Sequence, residues 1–459
     1  MEKKFNYNYA KTMWNKMFLA KPDYKTNTSE VLISFEQALE IIKTVDAITQ
    51  GIQKIIYLVG WQGIGHDNLY PEMNAVNDYL KRDCDPDGRT SLWWLSKEAK
   101  KYNTVISFHG NLADAYEESP SFPDLAKNNA VVNDKTGKPA VIEIFYGRNG
   151  YKVSYKQYYE SGLFKKYWDE FCELVPVREA GTVHLDNFCI AESLNPETGV
   201  EEQNEARNKM LDYINSLGID VTSEYTYREL PRRTDSKGHP IHKFYGTDLS
   251  LVEEDLWKKA PIRALGRISA SWWMSNMLPE DFINYPPELY TGFATDDELR
   301  GVYYGSMHGE DIWANNGIDK EKWVPEYIKE FCEMQVPFFY LNHHKRERIE
   351  KHDDGSFTGY FSDGVVSEGK SESITKNGVY VKKGTDFILL PLNGSDKTFI
   401  AYSKIGKSGK WDIPDARDAD VKIFRITADG NVPVGEAQIK NGTVEFSIQP
   451  REALVLELV

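Results

Sequence analysis

The chain has 459 residues, a net charge of −15 and a pI of about 5.2. Nucleic-acid binding needs basic patches, and the longest basic cluster, Lys345-Arg346-Glu347-Arg348, is short and interrupted. No run of about 18 apolar residues occurs, so no membrane-spanning helix is expected, and the length points to two or three domains.

The first amphipathic stretch is Phe35 to Ile48, where Ala38, Leu39, Ile42 and Val45 form one helical stripe. A buried strand follows at Lys54-Ile55-Ile56-Tyr57-Leu58-Val59 and ends at Gly60. Ser91 reads as the N-cap of a second helix with Leu92, Leu95 and Ala99 on its apolar face. Thr104 to Phe108 and Thr182 to Asp186 are the next strands. A helix over Glu202 to Leu217 ends at Gly218, and Ile219 to Glu224 forms another strand. Further strands are expected at Arg267 to Ser271 and, after a helix over Lys320 to Glu333, at Val336 to Leu341. Strands alternating with helices imply parallel pairing with right-handed crossovers. At this length a closed (β/α)8 TIM-type barrel is favoured over residues 1–350. No phosphate-binding glycine motif follows any strand, which argues against a nucleotide-binding sheet.

From about residue 351 the texture changes. Short alternating strands appear at Gly378 to Lys382, Asp386 to Leu390, Thr398 to Ser403, Val421 to Ile426, Val444 to Ile448 and Ala453 to Leu458. Turn pairs such as Asn393-Gly394, Asp429-Gly430 and Asn441-Gly442 separate them. This is the pattern of an antiparallel β-sandwich over residues 351–459.

Active sites of such barrels lie at the C-terminal ends of the strands. Four polar clusters occur there. Gly60-Trp61-Gln62-Gly63-Ile64-Gly65-His66-Asp67-Asn68 combines flexibility, an aromatic ring and polar groups, as a sugar-binding loop would; an ordinary turn is the plainer alternative. His109 and Asn111 share one side of their strand and offer bonds to substrate hydroxyls; a histidine satisfied within the barrel core is the plainer alternative. His184 and Asp186 share a face pointing into the barrel, where an acid is costly without purpose. Glu224 ends the next strand. Two carboxylates on neighbouring strands are what glycoside hydrolysis requires, one as nucleophile or base and one as proton donor. The 11 Trp and 27 Tyr supply flat faces suited to sugar rings.

Two rival readings remain open from the residues alone. One is a metal-dependent hydrolase using His66, Asp67, His109, His184 and Asp186, though HExxH is missing. The other is a non-catalytic carbohydrate-binding protein. No cofactor is required by the two-carboxylate reading, and a structural Ca2+ is allowed by the loop Asp83-Cys84-Asp85-Pro86-Asp87-Gly88, which turn chemistry explains equally well. The four cysteines lie far apart and read as buried free thiols. The first residues have no apolar segment of signal type, so the protein is either cytoplasmic or secreted with a preceding signal segment.

Taken together, Tyr57 to Gln62, Gly65-His66-Asp67, Ala180 to Asp186 and Val221 to Glu224 resemble the catalytic region of glycoside hydrolase family 101. Its members are endo-α-N-acetylgalactosaminidases, related to family 129, that release the core-1 disaccharide from Ser or Thr of mucin-type glycoproteins. The resemblance covers roughly residues 30–345. It implies a carbohydrate (O-glycan) partner and a retaining mechanism, with Asp186 as nucleophile and Glu224 as acid/base. It further implies that His66 and Asp67 hold the sugar in the −1 subsite, that His109 lines the same pocket, and that Trp272 and Trp273 supply aromatic substrate contacts.

Overall fold

The computed structural model describes residues 6–8, 11–186, 188, 190–223, 244–245, 304 and 309–459. The chain divides into two compact units. One comprises Met1–Tyr7, Lys16–Leu39 and Ile55–Gly266, the other Asn8–Asn15, Glu40–Lys54 and Arg267–Val459. The expected strand at 267–271 lies outside the described residues.

A five-stranded sheet runs in the order Met13–Phe18, Lys54–Val59, Thr104–Asn111, Thr182–Asp186, Asp220–Ser223. The last three strands are parallel, pairing His109 with His184 and Thr222 with His184. Ile55 to Val59 are buried on both faces, which explains an unbroken apolar run instead of alternation. Gly60 ends that strand in the left-handed region, φ +75°, and a Cβ there would meet the Ala20 carbonyl at 2.2 Å. Only glycine meets both conditions.

Helices flank the strands. Phe35–Ile48 lies where the apolar stripe predicts it. The helix expected to open at Ser91 instead spans Gly88–Ala99. Its cap is Asp87, whose carboxylate accepts from the Thr90 amide at 2.7 Å. Ser91 sits in the helix and donates its hydroxyl to Asp85 Oδ2 at 2.7 Å. Asp87 satisfies an orphan amide better placed than any Ser91 could reach, so the helix starts earlier. Asp85 is also held by Arg82, at 2.7 and 2.9 Å. Asp85 and Asp87 of this Asp-rich loop are thus engaged in pairing and capping.

In the second unit the helix Lys320–Glu330 continues through a wider turn, Phe331–Gln335, into the helix Val336–Asn342. This corrects the strand expected at Val336 to Leu341. All six of those residues are buried, and a run buried on every side has no period to separate strand from helix. Pro337 falls in the first turn of its segment, where no amide is required.

In the C-terminal region the six expected strands are present within about two residues, and Arg346–Lys351, Phe357–Phe361, Val365–Glu368, Ser373–Lys376, Lys407–Asp412 and Gly430–Ile439 add to them. Ten strands form one sheet, antiparallel at every pair, beginning at Arg346–Lys351 and including Thr398–Ser403, Glu452–Leu458 and Ala419–Thr427. A second pair, Lys407–Asp412 with Thr443–Ile448, supplies an opposing layer. Leu389, Ala401, Ile423 and Leu456 of the large sheet share a core with Trp411, Val444 and Ile448 of the pair. Trp411 stacks between Phe387 and Phe446, centroids 4.9 and 4.6 Å away. Asn441 and Gly442 take φ 53° and 71°, as a tight hairpin requires. Among the described cysteines Cys172 and Cys332 are buried free thiols, while Cys84 is exposed, its side chain sitting in the polar capping loop.

Lys54 carries a fully buried ammonium paired with Asp46 at 2.6 Å and donating to the Ile52 carbonyl. Burial lowers its pKa from 10.5, and Asp46 opposes that shift. Asp46→Asn leaves a buried charge without its counter-ion and is expected to cost about 3 kcal/mol. The sign with pH follows. A lysine pKa lower in the fold than in the unfolded chain makes stability rise with pH between the two values. The deficit of the variant in thermal unfolding should therefore narrow as pH climbs towards 10.5. A pH-independent deficit would contradict this account of Lys54.

Candidate active site

The site is built on the ends of three neighbouring strands. Lys54–Val59 leads into the loop bearing Trp61, His66, Asp67 and Tyr70, Thr104–Asn111 carries His109, and Thr182–Asp186 carries His184 and Asp186. Register sets His109 beside His184 and Asn111 beside Asp186. Ser223 pairs with Leu185 on the next strand. Glu224 follows directly and lies outside the described residues, as do Trp272 and Trp273.

Three histidine rings form a row. His66 and His109 have centroids 5.5 Å apart, and His109 and His184 are likewise 5.5 Å apart. Phe18 packs on His66 at 5.2 Å, and Tyr57 on His184 at 5.5 Å. Asp186 stands beside the middle ring. Its Oδ2 lies 3.7 Å from His109 Nε2, and its side chain is 19% exposed where that of His109 is 1%. The carboxylate is the part of the pair that a ligand can reach. His66 Nε2 sits 3.4 Å from Asp67 Oδ1. His184 Nδ1 is 2.9 Å from Thr222 Oγ1, which fixes that ring from the next strand.

His66, His109 and Asp186 each present one donor atom within 4.8 Å of the others, and this is the one such group among the described residues. It is the place where a cation would be held. His184 does not belong to it.

Other expected site residues sit deeper. Trp61 is fully buried against Phe108 and Phe171. Its indole N–H donates to the His109 carbonyl at 2.9 Å. It is therefore a core residue that fixes His109, not a ring open to sugar. Asn111 is also fully buried. Its side-chain oxygen accepts from the amides of Ala113 and Asp114, and its NH2 donates to Asp114 Oδ2 at 2.6 Å. Those bonds occupy the amide in turning the chain, which replaces the substrate contact expected of it.

Several site residues escaped the sequence reading. Tyr70, fully buried, places its hydroxyl 3.3 Å from His109 Nδ1. Its pKa is pushed well above 10.0 by burial and then by the Asp67 and Asp186 carboxylates. Arg148 lies between the rings of Tyr24 and Tyr116, at 4.2 and 4.0 Å, pairs with Glu118, and donates to the Asp67 carbonyl at 3.4 Å. Burial, more than any neighbour, pushes Tyr24 up to about 12. Asp114 pairs with Lys152 under the end of the His109 strand. No spacing rule links these partners, since each acts across 30 or more residues.

Residues 25–240 match the family model described as endo-α-N-acetylgalactosaminidase, glycoside hydrolase family 101. By this match the region resembles glycoside hydrolase family 101. The match takes in Trp61, His66, Asp67, Tyr70, His109, Asn111, His184, Asp186 and Glu224, and stops short of Trp272 and Trp273. Among solved structures, the α-N-acetylgalactosaminidase NagBb from Bifidobacterium bifidum is 13% identical with a TM-score of 0.49. The alignment covers 80% of this chain and 58% of that one, so this chain spans little more than half the length of NagBb. A noncanonic maltogenic α-amylase, AmyB from Thermotoga neapolitana, is 11% identical over 99% of this chain and 100% of its own, with a TM-score of 0.42. The α-galactosidase TtGalA from Thermus thermophilus, in complex with p-nitrophenyl α-D-galactopyranoside, is 13% identical over 60% of this chain and 47% of its own, with a TM-score of 0.33. No curated protein sequence matches the chain. No described helix is long and apolar enough to cross a membrane.

Proposed function

We propose that this chain is a retaining glycoside hydrolase of the family 101 kind that removes α-linked N-acetylgalactosamine, alone or as Gal-β1,3-GalNAc, from Ser or Thr of mucin-type O-glycans. The observation that carries the reading is Asp186. It is a carboxylate at the C-terminal end of a parallel strand, reachable from solvent and backed by a buried histidine. In the proposed reaction Asp186 attacks the anomeric carbon while Glu224 protonates the departing Ser or Thr oxygen. Glu224 then takes a proton from water, which opens the glycosyl-enzyme with the configuration retained. His66 and Asp67 bond the sugar hydroxyls, His109 and His184 back the nucleophile, and Trp272 and Trp273 contact the sugar face. The chemistry runs on two carboxylates and requires no cofactor. We place the five described strands in a (β/α)8 barrel ending near residue 350, followed in the chain by a β-sandwich over residues 351–459.

Activity on aryl α-GalNAc and on the aryl core-1 disaccharide, followed by the configuration of the first-formed sugar, tests the reading. Release of the α-anomer from either substrate is expected, and the preferred substrate sets exo or endo action. Saturable glycan binding without hydrolysis would replace the proposal with a carbohydrate-binding role. Hydrolysis that a strong chelator abolishes and added cation restores would replace it with metal-dependent chemistry.

A further inference from the structure

We infer that Tyr70 is a positioning residue for the proposed nucleophile, acting through His109: its hydroxyl donates to His109 Nδ1 and so presents an Nε2–H to Asp186. The inference rests on the proposed role of Asp186 for its kinetic consequence but not for its geometry.

A neutral imidazole has one N–H and one lone pair, and the partner of one nitrogen decides which tautomer forms. His109 has a different partner on each side. Tyr70 Oη stands 3.3 Å from Nδ1, and Asp186 Oδ2 stands 3.7 Å from Nε2. A carboxylate only accepts, so the useful arrangement carries the proton on Nε2 and the lone pair on Nδ1. That lone pair needs a donor. Tyr70 is the donor at hand, fully buried and kept as a phenol by its surroundings. An acceptor at Nδ1 would instead draw the proton away and turn a lone pair towards the carboxylate.

The rest of the histidine is held as firmly. The Trp61 indole binds its carbonyl at 2.9 Å. The rings of His66 and His184 close on both sides. The imidazole therefore has little freedom except the choice of tautomer, and Tyr70 makes that choice. The long Nε2 to Oδ2 approach in the free protein is of the kind that tightens when substrate arrives.

Two measurements test this. In the wild-type protein labelled with 15N-histidine, the two ring nitrogens of His109 should show the Nε2–H tautomer, with the signal assigned by its loss in His109→Gln. In Tyr70→Phe the Nδ1–H form should appear, and kcat on an aryl α-glycoside should fall about 10–100-fold with KM within about twofold. In a His109→Gln background, whose amide still offers a donor to Asp186, Tyr70→Phe should have no further effect on kcat. An Nδ1–H wild-type tautomer overturns the inference by itself, even if Tyr70→Phe fails to fold. So does an unchanged tautomer in the variant, or a rise in KM with kcat intact. A dead wild-type enzyme would sink the proposed function while leaving the tautomer result to stand or fall alone.

Discussion

Asp186→Asn is expected to lower kcat on aryl α-GalNAc by roughly 10^4-fold or more, the scale on which loss of a covalent nucleophile is felt. The substitution keeps size and shape, and Asp186 is only partly buried. Thermal unfolding should therefore shift little. Asp186→Ala opens room at the anomeric carbon, and azide should restore turnover to it with inversion of the product. Full activity of the Asn variant would remove Asp186 from the chemistry. Activity lost together with a large drop in melting temperature would make it a structural residue.

The second large effect is expected at Lys152→Met. Lys152 and Asp114 face each other with side chains only 5% and 9% exposed, joining the strands Asp114–Tyr116 and Arg148–Lys152. Removing one member of a buried pair strands the other, at a cost of about 3–5 kcal/mol. Replacing both with apolar groups is a different matter. Lys152→Met with Asp114→Leu should regain most of the stability in denaturant unfolding, since the desolvation cost of both charges goes with them. Activity should not return. Asp114 accepts from the Asn111 amide, and Asn111 pairs in register with Asp186. The strand end that carries His109 is thereby tied to the ion pair. A double variant as unstable as the single one would contradict the desolvation argument, and one with full activity would contradict the tie.

Much of this frame was legible in the sequence. Phe35–Ile48 and Thr182–Asp186 begin and end where the pattern says, because a helical stripe and a short apolar run between Gly181 and a polar loop leave little choice. The hairpins of the C-terminal region were equally plain, since Asn-Gly pairs mark their turns. The reading failed where local signals compete or vanish. Ser91 and Asp87 are both capping residues, and only the tertiary position of Asp85 and Arg82 decides between them. Val336 to Leu341 is apolar throughout and so carried no period.

The site divides along the same line. His66, His109, His184 and Asp186 were singled out because strand ends concentrate chemistry, and the structure sets the three rings in a row with Asp186 beside the middle one. Trp61 and Asn111 were found for the same reason, but their side chains turn inward to hold the backbone. Tyr70, Arg148 and Lys152 were invisible, because what defines them is a partner far away in the chain.

The central claim is that Asp186 forms a bond to the sugar, and mass spectrometry of the trapped enzyme tests it most directly. Glu224→Gln slows the second step, so an aryl α-GalNAc with a good leaving group should load the enzyme faster than water clears it. After acid quench and peptic digestion, the peptide containing Asp186 should carry one added GalNAc residue. An unmodified Asp186 peptide, with the sugar found on another carboxylate or on none while the aryl group is still released, would contradict the account.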